Sequence, residues 1–480
     1  MQETLFWFDL ETTGTNPATD RIVQFAGVRT DLDLKPLSEP VNIFCSLSDD
    51  VIPSAEAMLV TGIGPARLER EGMSEREFAE RVVQELGEAR TCVVGFNNIR
   101  FDDEFVRYLL YRNFHDPYAR EWANGNSRWD VIDCFRMARA LRPDGLSWPE
   151  NEKGHPTFRL ERLTAANGVG HADAHDAVSD VLATVTMTAK LRAAQPRLYD
   201  YLFRLKNKNA AADQVYPLGK SALLHVSNMY PNERSCAAIV MPVCQHPRNP
   251  NGIICYDLSV DPTPLMTSNA ARVQHLTFTP RSELAEGEQR IPLKVMHLNR
   301  CPAVAPLKTL DPDSAARLGL DPDQAQRHLA ALQGSAGLVD KVQAAYGARE
   351  FAPVTDPDRM LYAGDFFSDD DRARCARLRT LGADALGSDP PPFDDARIPE
   401  MLFRYRARNF GDSLNRAETQ RWHDYLRGKW ADGEAIKRAR DEITALRDTA
   451  TADQHGLLDQ LETRLDRQTA LLDAPGRENG

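Results

Sequence analysis

The chain opens on an apolar run, Leu5-Phe6-Trp7-Phe8-Asp9-Leu10-Glu11, that predicts a strand. Side chains alternate along a strand, so Phe6, Phe8 and Leu10 fall on one face and Trp7, Asp9 and Glu11 on the other. Thr12-Thr13-Gly14 ends the run as a turn. Comparable runs predict strands over residues 21–29, 41–46 and 91–96, and helical spacing predicts helices over 75–88, 102–113, 131–141 and 175–191. Hairpin-sized gaps join the first strands and helices interleave afterwards. The pattern is that of an α/β domain on a mixed sheet with an antiparallel start, covering residues 1–194.

After residue 194 the periodicity changes. Residues 197–203 read as a helix leading out, and Lys206-Asn207-Lys208-Asn209 as a polar break. Short β runs follow at 223–226, 237–243, 252–258 and 293–298, separated by Pro and Asn clusters such as residues 246–252. They predict a small β-barrel within a second domain, 195–350. From about Pro353 the chain is charge-rich and helical, with long runs at 415–429 and 434–472, and forms a third domain, 351–480. Pro475 to Gly480 are expected to be a disordered tail.

Composition narrows the class. At 480 residues the chain is too long for one core, and 42% hydrophobic with 27% charged residues describes a soluble globular protein. No apolar stretch is long enough to cross a membrane, and the N-terminus lacks the pattern of a signal peptide. The eight cysteines include no C-x-x-C pair and no zinc spacing, so they read as reduced thiols of a cytoplasmic protein. A net charge of −12 leaves nucleic-acid binding only to a basic groove on one face, with salt-sensitive affinity.

Candidate chemistry begins where the first strand ends. Asp9 and Glu11 point the same way, and each raises the other's pKa unless a cation lies between them. Hard oxygen ligands so close together suit Mg²⁺ or Mn²⁺. Taken alone, the pair reads first as two solvated carboxylates at a strand end. Asp102, in the first turn of the helix after the 91–96 strand, adds a third acid, with Asp103 as its rival. His175 and Asp180 stand at another helix start, five steps and therefore about 140° apart on a regular helix. Asp180 can hold a metal from within that helix while His175 reaches a water beyond it. His171 and His175 bracket a short segment that lacks a third metal ligand, and Asp176 reads as an exposed helix-start carboxylate. A grip on a single strand needs stacking faces and cations, and Arg107, Tyr118, Trp122, Arg136, Phe158 and Arg159 offer both.

D-x-E, N-x-x-F-D and H-x4-D, in this order, resemble the DEDDh (DnaQ-like) exonuclease superfamily. Residues 95–104, 111–114, 126–130, 141–143, 148–151, 158–161, 174–177, 195–198, 297–302 and 405–410 resemble the exodeoxyribonuclease I family, over nearly the whole chain. The resemblance implies a ribonuclease H-like exonuclease domain, then an SH3-like β domain and a C-terminal helical domain. It implies two Mg²⁺ ions (Mn²⁺ is an alternative) held by Asp9, Glu11, Asp102 and Asp180, with Asp9 bridging, and His175 as general base. The implied reaction is 3′→5′ hydrolysis of single-stranded DNA to 5′-mononucleotides, in DNA repair and recombination.

Glu11 would also touch substrate, Arg159 would hold a phosphate and Phe158 would stack or wedge. Thr61-Gly62-Ile63 would line the terminal-nucleotide pocket. Lys294, His297, Asn299 and Arg300 would steer the strand, and residues 405–410 would help close around it or, equally, form a charged helix face. The implied partners are single-stranded DNA and the acidic C-terminal tail of single-stranded DNA-binding protein, met by Arg142 and Tyr201. The protein is expected to be a monomer without membrane attachment. Two alternatives remain open: an exoribonuclease trimming RNA 3′ ends, against which the mass of residues 222–472 argues, and a non-catalytic DNA-end scaffold, against which the intact acids argue.

Overall fold

A computed structural model describes residues 3–171, 176–349, 352–387 and 392–473. His175 and the predicted tail at 475–480 lie outside them. The first region contains β1 (Thr4–Thr12), β2 (Ile22–Thr30), β3 (Val41–Cys45), α1 (Ala55–Thr61), α2 (Pro65–Glu71) and β4 (Gly72–Met73). It continues with α3 (Glu75–Leu86), β5 (Thr91–Gly95), α4 (Asp102–Arg112), β6 (Ser127–Asp130), α5 (Ile132–Leu141), α6 (Leu160–Ala166) and α7 (Ala177–Ala194). The predicted strands and long helices form within a few residues of their expected ends. The periodicity misses β4, β6, α1, α2 and α6, each too short to show a repeat.

The six strands run in the order β4-β3-β2-β1-β5-β6. β1 lies inside the sheet, antiparallel to β2 and parallel to β5. Its alternation is realised on both faces. Leu5 and Trp7 join a cluster with Phe135 of α5 and Val181 of α7. Phe6, Phe8 and Leu10 join Phe78 of α3 and Phe105 of α4. A register slip between Glu11 and Thr12 marks a bulge where β1 leaves the sheet.

The second region holds α8 (Pro196–Arg204), α9 (Lys208–Val215), β7 (Leu223–Val226), β8 (Ala237–His246), β9 (Asn249–Asp257), α10 (Thr263–Thr267) and α11 (Ala270–Phe278). After these come β10 (Leu293–His297), β11 (Ala303–Pro306), α12 (Pro312–Leu318), α13 (Pro322–Gln333) and α14 (Leu338–Gly347). Its strands pair antiparallel in the order β10-β9-β8-β7-β11. One face of this sheet packs on a cluster of its own with Ala211 and Val215 of α9, and the other face shares a core with the first region. Trp129 of β6 stands edge-on to Tyr199 and Phe203 of α8 at 5.2 and 4.9 Å, and one hydrophobic cluster runs from β1 to Tyr256 of β9.

The third region is helical: α15 (Asp369–Leu378), α16 (Ala383–Gly387), α17 (Ile398–Asn409), α18 (Arg416–Lys429), α19 (Glu434–Arg447) and α20 (Ala452–Asp473). The run predicted over 434–472 is a hairpin of two helices. Asp448, Thr449 and Thr451 are weak helix formers, and Thr451 starts the second helix by a reciprocal cap. Its Oγ accepts from Gln454 N at 3.4 Å while its N–H donates to Gln454 Oε1 at 2.9 Å. Residues 405–410, read equally as part of a closure on DNA or as a charged helix face, bind this region to the first. Arg408 reaches Asp50 at 3.0 Å, and the Asn409 side chain accepts from Arg76 N at 2.9 Å. All eight cysteines are free and buried, and no described helix is long and apolar enough to cross a membrane.

Candidate active site

The carboxylates of Asp9 and Glu11 come from alternate positions of β1, opposite Ala26 and Gln24 of β2, and that of Asp180 from the first turn of α7. One ligand oxygen from each lies within 4.8 Å of the others. Among the described residues this is the one group of three or more acids, histidines or cysteines with metal-ligand spacing. Burial raises the Asp9 pKa well above the usual carboxylate range, and Asp102, Asp180 and Asp176 push it the same way. Burial, then Asp9, Asp180 and Asp176, push Glu11 up to about 9. Burial and the adjacent Asp103 charge likewise raise Asp102 well above its ordinary value. No cationic side chain is among the influences on Asp9 and Glu11. Such concentrated negative charge on hard oxygen donors fits a divalent cation.

The turn that delivers Asp102 depends on Asp130, whose role the sequence reading missed. Asn97 adopts a left-handed φ of 69°, and the Asp130 carboxylate accepts from Asn97 N at 2.9 Å, Ile99 N at 3.3 Å and Ile132 N at 3.1 Å. Three peptide donors on one carboxylate fix the turn between β5 and α4. Asp103 serves a different purpose. Fully buried, it meets Arg120 at 2.6 Å and Arg128 at 2.8 Å. Burial would raise its pKa, but these guanidinium groups overcome burial and bring it down to about 2.

His171, set aside in the sequence for want of a third ligand, has its Nε2 against the Asp180 carboxylate, and its Nδ1 lies 3.1 Å from Thr164 Oγ. Asp176 is half-buried rather than exposed. It caps α7 through Ser179 N at 3.2 Å and accepts from Gln24 Nε2 at 3.2 Å. Thr61 closes α1 and Gly62 caps it at φ 68°, so part of the predicted pocket loop is helix. With Glu11, Thr12 and Phe101, Thr61 lines a cavity of about 670 Å³ at the end of β1.

The expected strand contacts separate into those left accessible and those committed inside the protein. Phe158 is 6% exposed, packed edge-on to Trp148 at 6.4 Å with the Arg136 guanidinium 5.8 Å from its ring. This corrects the stacking role expected of it: Phe158 is a core residue. Arg136 pairs with Asp133 at 2.6 Å. Arg107 is buried and bonded to Glu121 at 2.7 and 2.9 Å and to Glu104 at 2.9 Å, which corrects its reading as a free phosphate contact. Asn299 is exposed, and its carbonyl accepts from Arg128 at 3.3 Å.

Other predicted contacts do face open space. Tyr118 and the 68% exposed Trp122 line a cavity of about 630 Å³ with Phe366 of the third region. Arg159 is exposed and lines another, of about 810 Å³, beside His155 and Arg162. Lys294, His297 and Arg300 line a cavity of about 880 Å³ on the second region, joined by Arg100, Arg248 and Arg290. Those three additional arginines lie far apart in the chain, so no local run of charge announces them. Arg142 pairs with Asp311 at 3.3 Å, and the Tyr201 hydroxyl donates to the Val304 carbonyl at 2.8 Å.

The chain matches sequence models described as "Exonuclease" over residues 6–188, "Exonuclease I SH3-like domain" over 206–348 and "Exonuclease I C-terminal domain" over 355–466. It is 43% identical over 426 residues to the exodeoxyribonuclease I of Haemophilus influenzae, covering 88% of this chain and 90% of that one. The moderately thermophilic exonuclease I from Methylocaldum szegediense superimposes with a TM-score of 0.93 at 44% identity, over 97% of this chain and 100% of the other. The zinc-bound complex of Escherichia coli exonuclease I with single-stranded DNA gives 0.93 at 38%, over 98% and 100%.

Proposed function

The chain belongs to the exodeoxyribonuclease I family, and we propose that it is a Mg²⁺-dependent 3′→5′ exonuclease of single-stranded DNA that releases 5′-mononucleotides in DNA repair and recombination. One observation carries this reading: Asp9, Glu11 and Asp180 each bring a ligand oxygen within 4.8 Å of the others, in a site where burial and mutual repulsion raise Asp9 and Glu11. The zinc-bound, DNA-bound E. coli relative supports it.

In this reading Asp9, Glu11, Asp102 and Asp180 would hold two divalent cations. When bound, the cations supply positive charge against the charge growing on the phosphate, and acidity that makes water a nucleophile near neutral pH. The His175 imidazole accepts the proton of the attacking water, a task suited to imidazole as a class because its ordinary pKa lies near neutral pH. The water oxygen bonds to phosphorus, the bond from phosphorus to the penultimate 3′-oxygen breaks, and the terminal nucleotide leaves with its 5′-phosphate. The cavity beside Glu11 and Thr61 receives that nucleotide. Arg159, Trp122 and Tyr118 hold the strand behind it, and Lys294, His297 and Arg300 guide it across the second region. The protein acts as a monomer, and the acidic tail of single-stranded DNA-binding protein docks near Arg142 and Tyr201.

The deciding experiment follows a 5′-labelled single strand of DNA, beside an RNA of the same sequence, with Mg²⁺ and with EDTA. Shortening of the DNA from its 3′ end, release of 5′-mononucleotides and arrest by EDTA are expected. Preferential loss of the RNA, or DNA binding without Mg²⁺-dependent release, would overturn the reading.

A further inference from the structure

Helix α19 of the C-terminal region forms one wall of the cavity beside Glu11. Ala435, Arg438, Ala439 and Glu442 line it, and their spacing of three, one and three places them on one helix face. Glu442 does more than line the wall. Its Oε1 accepts from Ser54 Oγ at 2.8 Å and from the Glu56 peptide N–H at 3.0 Å, across more than 380 residues of chain.

Ser54 is the N-cap of α1, its own Oγ accepting from Ala57 N at 3.3 Å. Glu442 thus completes the cap from outside, engaging the serine hydroxyl and one more first-turn donor, where a carboxylate is also favoured by the helix dipole. The same serine donates its backbone N–H to the Thr13 carbonyl at 2.9 Å, two residues beyond Glu11. At its other end α1 presents Val60 and Thr61 to the cavity. The neighbouring helix receives similar support, since Gln460 of α20 accepts from Ala66 N in the first turn of α2 at 3.2 Å.

We propose that Glu442 is a positioning residue for cleavage: by capping α1 across the domain boundary it fixes the wall that receives the terminal nucleotide beside Glu11. The C-terminal region then takes part in seating every nucleotide to be removed, in addition to any hold it has on the strand further back. This inference rests on the exonuclease reading above.

The test compares Glu442→Ala, Glu442→Gln and Arg467→Ala with the unsubstituted protein, on a short oligothymidylate with saturating Mg²⁺, with a melting curve for each. Arg467 joins the same helical hairpin to Glu69 of α2 at 2.6 Å, is exposed and does not line the cavity. It therefore controls for loosening of the domain contact alone. Glu442→Ala is expected to raise KM about five-fold with kcat changed less than about two-fold, in line with the loss of a helix cap. Glu442→Gln keeps an oxygen acceptor and is expected to restore KM, while Arg467→Ala leaves both constants unchanged. Unchanged kinetics in Glu442→Ala, or an equal KM rise in Arg467→Ala, would overturn the inference while the exonuclease reading stood. Failure of the unsubstituted protein to release nucleotides would overturn both.

Discussion

Asp102 and Asp103 are adjacent in the chain, both are buried, and they titrate in opposite directions. Burial and the neighbouring Asp103 charge raise Asp102, whereas Arg120 and Arg128 overcome burial and hold Asp103 down. The contrast extends to two larger groups. On one side stand Asp9, Glu11 and Asp102, acids that burial and neighbouring carboxylates raise. On the other stands a knot joining the first and third regions. Within it Asp50 meets Arg408 at 3.0 Å and Lys429 at 2.7 Å, and Asp358 meets Arg408 at 2.5 Å. Burial would raise Asp50, yet Arg408, Lys429 and Arg21 overcome it and hold its pKa well below the carboxylate range. A buried carboxylate needs positive charge from somewhere. Where the chain provides it, the carboxylate fastens the fold. Where it does not, the carboxylate keeps a proton or takes a cation from outside the chain.

The largest effect should follow from Asp9→Ala. Removing the central acid of the uncompensated group should lower nucleotide release by about a thousand-fold or more, the several kcal/mol that a catalytic cation contributes. Affinity for single-stranded DNA should remain measurable. The melting temperature without divalent cations should hold or rise, because a repelling buried charge has gone. Near-normal turnover would break the assignment of Asp9. A fall in metal-free stability would show instead that Asp9 resembles Asp50.

The converse is expected of Asp50→Asn. Arg408, Lys429 and Arg21 would lose their common counter-ion, which costs about 3–5 kcal/mol when a buried pair is broken. Denaturant unfolding should show that loss, with turnover per folded molecule little changed. Undiminished stability would remove the ground for treating the two groups as different.

How far the sequence alone discloses this contrast depends on how local each feature is. The alternation of β1 places Asp9 and Glu11 on one face, and the resemblance puts Asp102 ahead of Asp103. The reason for that order is not local, since Arg120 and Arg128 reach Asp103 from 17 and 25 residues away. Asp50 carries no signal at all, because its partners Arg408 and Lys429 are 358 and 379 residues distant. Phe158 fails for a related reason: an aromatic beside an arginine reads the same whether it faces a base or, as here, the core against Trp148. The break at 448–451 was visible in the residues, but charge-rich periodicity on both sides obscured it.

A divalent cation should distinguish the groups without any mutation. A ligand bound only by the folded protein stabilises it by about 2.7 kcal/mol at a hundred times its Kd. Mg²⁺ titrated into EDTA-treated protein should therefore raise the melting temperature. Asp9→Ala should abolish that rise and Asp50→Asn should preserve it from a lower starting point. A rise of equal size in Asp9→Ala would place the bound cation elsewhere.

The smallest effect, and the sharpest separation, lies in the pH dependence of stability without metal between about pH 5 and 7.5. Glu11 titrates at about 9 when folded, against an ordinary value of 4.5, and Asp9 and Asp102 are raised in the same sense. In this window an unfolded Glu11 has lost its proton while the folded one keeps it. The folded state therefore binds more protons, and raising the pH favours unfolding, by about 1.4 kcal/mol per pH unit for each excess proton. The compensated group has the opposite sign and a different window. Asp103, at about 2 when folded against 3.8, contributes fully above the ordinary value and loses its contribution only as the pH falls toward 2. Between pH 5 and 7.5 its slope is flat. Unfolding free energies in EDTA at pH 5.5, 6.5 and 7.5 should thus decline in the unsubstituted protein, and the decline should be shallower in Glu11→Gln, where the titrating proton is absent. Saturating Mg²⁺ should offset the decline, because the cation takes the place of those protons and binds more tightly as the pH rises. An equal slope in Glu11→Gln would show that other groups, the histidines first, set the pH dependence.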